Sequence, residues 1–179
     1  MEPVPVLILL SGAVCAGKTT LAGGLKQSQA ARVLTTRTLI TAQVHQAAEQ
    51  LDRGRLQRLG NALDHRTGGR WVADAVRSLT LDRLTVVDAV RTPDQVAAIS
   101  ATVPTLHVHL TASDSVLEER YAQRVSADPA FEHPTLTALR RDPTEASIEH
   151  LASLADLVID TSLQDKQATL KRVLNLLAN

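Results

Sequence analysis

Short, nearly uninterrupted apolar runs alternate along the chain with longer stretches that mix apolar and polar residues. Val6-Leu7-Ile8-Leu9-Leu10, Leu84-Thr85-Val86-Val87-Asp88, the segment from Pro104 to Leu110 and Leu157-Val158-Ile159 hold too few polar positions for strands with one wet face. They fit strands covered on both faces, as in a parallel sheet between helices. Ala31-Arg32-Val33-Leu34-Thr35 is the expected second strand. Helical patterns occupy 18–29, 113–126, 143–153 and the chain from about Leu163, and Pro93 opens a short helix at a tolerated first-turn position. Ser113 or Thr111 is placed to cap the helix over 113–126. Residues 38–81 read as helical with breaks near Gly54, Gly60 and the pair Gly68-Gly69. Residues 127–143 hold three prolines and read as a mobile connection. The alternation predicts one α/β domain over 1–179, with excursions at about 38–81 and 127–143.

Composition narrows the function classes. A chain of 179 residues is long enough for a sizeable core. Nineteen basic and nineteen acidic side chains cancel, which argues against a nucleic-acid binder driven by phosphate neutralisation. No stretch approaches the roughly 20 apolar residues of a membrane span. The opening Met1-Glu2-Pro3-Val4-Pro5 lacks a basic leader region. A single cysteine excludes an internal disulfide and fits a reducing compartment, so a cytoplasmic location is expected. Only Lys18, Lys26, Lys166 and Lys171 are lysines, and the remaining basic residues are arginines, whose planar fork suits phosphate.

One segment carries specific chemistry. Gly12-Ala13-Val14-Cys15-Ala16-Gly17-Lys18-Thr19 fits G-x-x-x-x-G-K-[ST] and stands between an apolar strand and a helical pattern. Glycines let successive backbone N–H groups turn inward as an anion nest, and the following helix adds the positive end of its dipole. Lys18 is the expected ligand of the β- and γ-phosphates, Thr19 of Mg²⁺, and Thr20 completes the ATP-binding set. Asp88, ending its apolar run, is the second candidate in the Mg²⁺ shell.

The residues beyond Asp88 separate hydrolases from transferases. Ala89 stands where motor-type ATPases often carry a second acid, and no Asn-Lys-x-Asp guanine-reading element occurs. Asp160-Thr161-Ser162 after the last strand lacks the lysine. These features leave a small kinase as the leading class. A kinase must neutralise a phosphoryl group in flight and hold its acceptor, and arginines stand at suitable places. Arg37 follows the second strand, Arg91 lies just beyond Asp88, Arg120 and Arg124 are one helical turn apart, and Arg140-Arg141 closes the proline-rich segment. His107 and His109 alternate on the fourth strand. Without a third ligand they read as structural rather than metal-binding.

Together these segments resemble the nucleoside monophosphate kinase group of phosphate-loop proteins, which includes adenylate kinases, deoxynucleoside monophosphate kinases and dephospho-coenzyme A kinases. Asp88-Ala89-Val90-Arg91-Thr92-Pro93-Asp94-Gln95 is similar to the adenylate kinase segment in which Asp-Gly precedes Arg-Thr-x-x-Gln, with alanine for glycine and one residue fewer before the arginine. Arg53-x-x-Leu56-Gln57-x-x-Gly60, followed by Arg66 and Trp71, resembles an acceptor-binding stretch of deoxynucleotide and coenzyme A precursor kinases. Thr35-Thr36-Arg37 resembles the region where the acceptor enters. Arg140-Arg141-Asp142-x-x-Glu145 and Ala155-Asp156-x-Val158-Ile159-Asp160 resemble a lid-to-last-strand passage, with Asp160 where relatives often carry asparagine.

The resemblance implies a three-layer fold with a five-stranded parallel sheet in the order 2-3-1-4-5. It also implies ATP- and Mg²⁺-dependent transfer to a small phosphorylated acceptor, most simply a nucleoside or deoxynucleoside monophosphate. Arg37 and Arg91 then hold the acceptor phosphate, supported by Arg66 or Arg70. Thr36 and Gln57 line the acceptor site, Gln95 reads its base, and Arg124 and Arg141 clamp the phosphates. A hydroxyl acceptor (dephospho-coenzyme A, a nucleoside or another metabolite) and a non-catalytic nucleotide-binding module are the alternatives. A monomer or homodimer without nucleic-acid or membrane partners is expected.

Overall fold

The apolar runs become the strands of one parallel sheet because they have no polar face to leave in water. The computed structural model describes residues 7–44, 53–78, 82–88, 90–127, 135–141 and 143–178. Ala89, the middle of the expected lid at 128–134, and 45–52 and 79–81 of the first excursion lie outside the described residues. The strands are β1 (Leu7–Gly12), β2 (Arg32–Thr35), β3 (Thr85–Asp88), β4 (Thr105–Thr111) and β5 (Leu157–Asp160). They form the order β2-β3-β1-β4-β5. Central β1 is buried at all six positions and pairs with β3 (Leu7 beside Thr85) and β4 (Leu7 beside Thr105).

Successive residues of β1 point to opposite faces, which splits the core in two. Leu7 and Leu9 pack with Trp71, Val76, Val87, Ile99 and Leu151. Ile8 and Leu10 pack with Leu21, Leu25, Val108, Leu110, Ile159 and Val173. The first side is covered by α2 (Thr36–Val44), α3 (Arg53–Thr67), α4 (Arg70–Arg77), α5 (Pro93–Ser100) and α8 (Pro143–Leu151). The second is covered by α1 (Lys18–Gln29), α6 (Asp114–Ala127), α7 (Leu136–Arg140) and α9 (Lys166–Leu177). The result is a three-layer fold, a parallel sheet in the expected order 2-3-1-4-5 between two layers of helices. Among the described residues no helix is long and apolar enough to cross a membrane.

Two local expectations change. Gly60 does not break the helical excursion; it lies inside α3, whose first described residue, Arg53, adjoins Gly54. An added Cβ at Gly60 would make an ordinary contact with Ile40 Cδ1 of α2, and α3 runs through this glycine because Leu56, Leu59 and Leu63 pack its face into the core. The segment read as a connection contains α7, whose Leu136 joins the core. The break at Gly68-Gly69 is present, with φ of 58° and 74°. Thr92 caps α5 by accepting from the Gln95 N–H at 3.3 Å, with Pro93 in the first turn.

Candidate active site

In a parallel sheet every strand ends at the same edge, so the loops that follow them share one surface. The loop between β1 and α1 is shaped there by left-handed backbone at Gly12 (φ 136°), Cys15 (φ 66°) and Gly17 (φ 101°). A Cβ at Gly12 would collide with the carbonyl oxygen of Leu110, so β4 fixes how tightly the loop turns. Lys18 Nζ donates to the carbonyls of Gly12 (2.6 Å) and Ala13 (2.7 Å), laying the ammonium along the loop. Ala16 is buried and its N–H donates to Ala13 at 3.1 Å.

A cavity of about 650 Å³ opens over this loop. Val14, Cys15, Gly17, Lys18, Thr19 and Thr20 form its floor, while Gly12, Ala13 and Ala16 stay beneath it. Asp88 enters from the end of β3, Arg37 from α2, Arg91 from the turn before α5, and Arg120 and Arg124 from α6. Thr161, Gln164, Asp165 and Lys166 close it from the β5–α9 turn. Thr19 and Asp88 offer a hydroxyl and a carboxylate, hard oxygen donors of the kind Mg²⁺ takes alongside phosphates and water. No cluster of three or more His, Cys, Asp or Glu side chains placed to hold a metal ion occurs among the described residues.

Arg120 has a distinct part. Its guanidinium donates to Thr161 Oγ1 (2.9 Å), the Thr161 carbonyl (2.9 Å) and the Cys15 carbonyl (3.3 Å). Thr161 Oγ1 also lies 3.1 Å from the carbonyls of Ala16 and Thr111. This knot fastens the phosphate loop to α6 and to the end of β5. The one-turn spacing of Arg120 and Arg124 marked the helix face, but nothing local pointed to Thr161.

A second cavity of about 240 Å³ adjoins the first. Arg37 and Arg91 stand in the walls of both. Leu56, Gln57, Gly60, Asn61 and Asp64 line it at helical spacing along α3, facing Thr36, Ile40, Trp71 and Gln95. Thr36 Oγ1 donates to the Asp88 carbonyl at 3.5 Å, tying α2 to the end of β3.

Three expected roles meet a different geometry. Gln95 is buried with both ends of its amide engaged: Oε1 accepts from the Arg91 N–H at 3.0 Å, and Nε2 donates to Asp64 Oδ1 and Oδ2 at 2.9 and 3.0 Å. It braces the wall instead of presenting a base-reading amide. Arg66 and Arg70 are exposed and line neither cavity. Arg66 stands two residues from Asp64, on the opposite face of α3, and Arg70 Nε donates to the Thr67 carbonyl at 3.0 Å. Arg141 is likewise exposed and lines neither cavity, while its neighbour Arg140 pairs with Asp114 at 2.9 Å. Sequence reading missed Asp64, which accepts from Trp71 Nε1 at 2.7 Å as well as from Gln95.

His107 and His109 form a buried polar relay below the loop. Leu154's carbonyl can only accept, so His107 Nδ1 carries the proton across their 3.2 Å contact. His107 Nε2 then accepts from Ser11 Oγ (2.7 Å), and Ser11 Oγ accepts from His109 Nδ1 (2.8 Å). Burial pushes both imidazoles down; His109 falls to about 4, with His107 and Lys18 adding positive charge nearby.

No curated protein sequence matches this chain. Solved structures share its fold over nearly its full length at low identity. Among them are the Mycobacterium tuberculosis APS kinase in complex with AMPPNP and APS (13% identity, 99% of this chain and 100% of that chain, TM-score 0.64), and shikimate kinase from Bacteroides thetaiotaomicron (17%, 97% and 99%, TM-score 0.62). A sugar kinase from Janibacter sp. HTCC2649 is also similar (16%, 97% and 94%, TM-score 0.56). The model of the AAA domain family matches residues 8–133, from the first residues of β1 to beyond α6. With most of its length inside that match and the phosphate loop within it, the chain belongs to the AAA domain family.

Proposed function

We propose that this protein is an ATP- and Mg²⁺-dependent phosphotransferase that moves the γ-phosphate to a small acceptor, a nucleoside or deoxynucleoside monophosphate. The observation that carries this reading is the sharing of Arg37 and Arg91 between two adjoining cavities, only one of which contains the phosphate loop. Guanidiniums placed between two anionic groups bring them together and neutralise the charge that develops between them. The APS kinase of the same fold was solved with a triphosphate analogue and a second small molecule together, which supports a two-substrate site.

Lys18 and the loop N–H groups hold the donor phosphates, and Arg124 adds positive charge from α6. Arg37 and Arg91 hold the acceptor phosphate, with Thr36 and Gln57 beside them. Thr19 and Asp88 would hold Mg²⁺, which supplies charge neutralisation on the β- and γ-oxygens when bound. A phosphate acceptor needs no general base. A hydroxyl acceptor is the second reading, favoured by Asp88, a buried carboxylate in the wall beside Arg91 that can take a proton.

The test is ADP release from ATP–Mg²⁺ across nucleoside and deoxynucleoside monophosphates, nucleosides and dephospho-coenzyme A, with Lys18→Ala as control. Stimulation by one or more monophosphates, lost in a folded Lys18→Ala variant, is the expected result. Stimulation only by a hydroxyl compound would replace the acceptor class. ATP binding with no transfer to any compound would leave a non-catalytic nucleotide-binding module.

A further inference from the structure

The smaller cavity carries a carboxylate whose hydrogen bonds are nearly, but not fully, used. Asp64 Oδ1 accepts from Trp71 Nε1 at 2.7 Å and from Gln95 Nε2 at 2.9 Å, and Oδ2 accepts from the same Gln95 nitrogen at 3.0 Å. A carboxylate offers about four lone-pair positions, so one on Oδ2 remains. Asp64 lines only the smaller cavity, whereas Arg37 and Arg91 line both. An occupant therefore meets two cationic donors on the side shared with the phosphate loop and, away from that side, a carboxylate held by Trp71 and Gln95. Ile40 and Leu56 add apolar walls of the kind a flat ring fills.

That polarity sorts nucleobases. At the ring position farthest from the sugar, cytosine and adenine carry an amine that donates, beside a ring nitrogen that accepts, while uracil and thymine carry O4, which accepts, beside a ring N–H. An amine satisfies the remaining lone pair of Asp64. A carbonyl there would set two acceptors against each other, and the ring would have to shift so that its neighbouring N–H took that place, away from the pose in which Arg37 and Arg91 hold the phosphate. Resting on the monophosphate reading above, we infer that Asp64 is a specificity-determining residue that selects acceptors with an amine at pyrimidine C4 or purine C6, as in cytosine and adenine, over those with a carbonyl there, as in uracil and thymine.

The alternative is that Asp64 is only a strut joining α3, α4 and α5. A strut would affect every acceptor alike, so the ratio between matched acceptors separates the two. The experiment measures kcat/KM for two pairs that differ by an amine against a carbonyl, CMP with UMP and AMP with IMP, in the wild type and in Asp64→Asn. The wild type is expected to favour the amine member by about 10- to 100-fold, the range one polar pair gives in base discrimination. Asp64→Asn retains the oxygen that accepts from Trp71 Nε1 and Gln95 Nε2, gives up the second contact to Gln95, and can turn its NH₂ toward a carbonyl. In it the CMP preference should fall to within about threefold, from loss of one such polar pair, with the KM for ATP unchanged.

Wild-type ratios near one in both pairs overturn the inference while leaving a monophosphate kinase in place, and they need no variant to fold. A preference retained in Asp64→Asn, with both rates lowered in proportion, overturns it in favour of the strut. Absence of turnover with every monophosphate overturns the acceptor reading itself and this inference with it.

Discussion

The Arg91 amide N–H donates to Gln95 Oε1, which fixes the Cα from which its side chain reaches both cavities. A hydrogen bond from an arginine to an anion contributes about 1.5–3 kcal/mol. Arg91→Ala should therefore raise the acceptor KM by about 10- to 100-fold and change the ATP KM far less. Steady-state kinetics with each substrate varied in turn will show it; equal rises in both constants would remove Arg91 from the acceptor side. At this scale the sequence displays chemistry better than direction. Gly12 to Thr19 are legible because phosphate binding demands a contiguous pattern. Arg66 lines neither cavity because a helix presents different faces two residues apart, and Arg70 is turned back onto the Thr67 carbonyl at the start of α4. Asp64 stayed hidden because an acid in a helix ordinarily faces water, and only the fold brings Trp71 and Gln95 to it.

Among the elements, the junction of α3 and α4 is tightly constrained. Gly69 has φ of 74°, and a Cβ there would lie 2.6 Å from the Gln95 nitrogen and 2.7 Å from the Asp94 carbonyl carbon. α4 thus approaches the first turn of α5 backbone to backbone, which lets Trp71 and Gln95 meet on Asp64. Gly69→Ala combines left-handed strain with an overpacked contact and should cost roughly 2–4 kcal/mol. In a chain of this size that lowers the melting temperature by about 4–16 °C, readable by circular dichroism. An unchanged melting point would mean that the α4–α5 contact yields freely. The strands were legible because burial on both faces leaves nearly continuous apolar runs. Gly60 reads locally as a break, but the helix continues because the tertiary packing of Leu56, Leu59 and Leu63 outweighs one glycine's propensity.

For the whole molecule, the Ser11–His107–His109 relay sets a dependence on acid. An unfolded histidine titrates near 6.5, while folded His109 resists protonation until about pH 4. Between those values the unfolded chain takes up a proton that the folded chain refuses, so this contribution makes stability fall as pH drops from about 6.5 to about 4. Above pH 6.5 neither state is charged and nothing is lost. The full loss is about 3 kcal/mol for one site. Urea midpoints at pH 7.5 and 4.5 should show it. In His109→Asn, whose amide can replace Nδ1 as donor to Ser11, the difference should shrink. An undiminished difference would locate the acid sensitivity elsewhere. Sequence placed both histidines on one face of a strand; Ser11 and the Leu154 carbonyl came only with the packing of β1 and of the turn at 152–154 against β4.

The strand order β2-β3-β1-β4-β5 also bears on how the chain is made. Leu7 of the central strand must await Thr85, 78 residues later, for its first neighbour and Thr105 for its second. At about 5–20 residues per second that leaves Leu7-Ile8-Leu9-Leu10 without strand partners for roughly 4–16 s on the ribosome. The segment that later anchors the nucleotide loop is, for those seconds, the part of the nascent chain with most need of a chaperone.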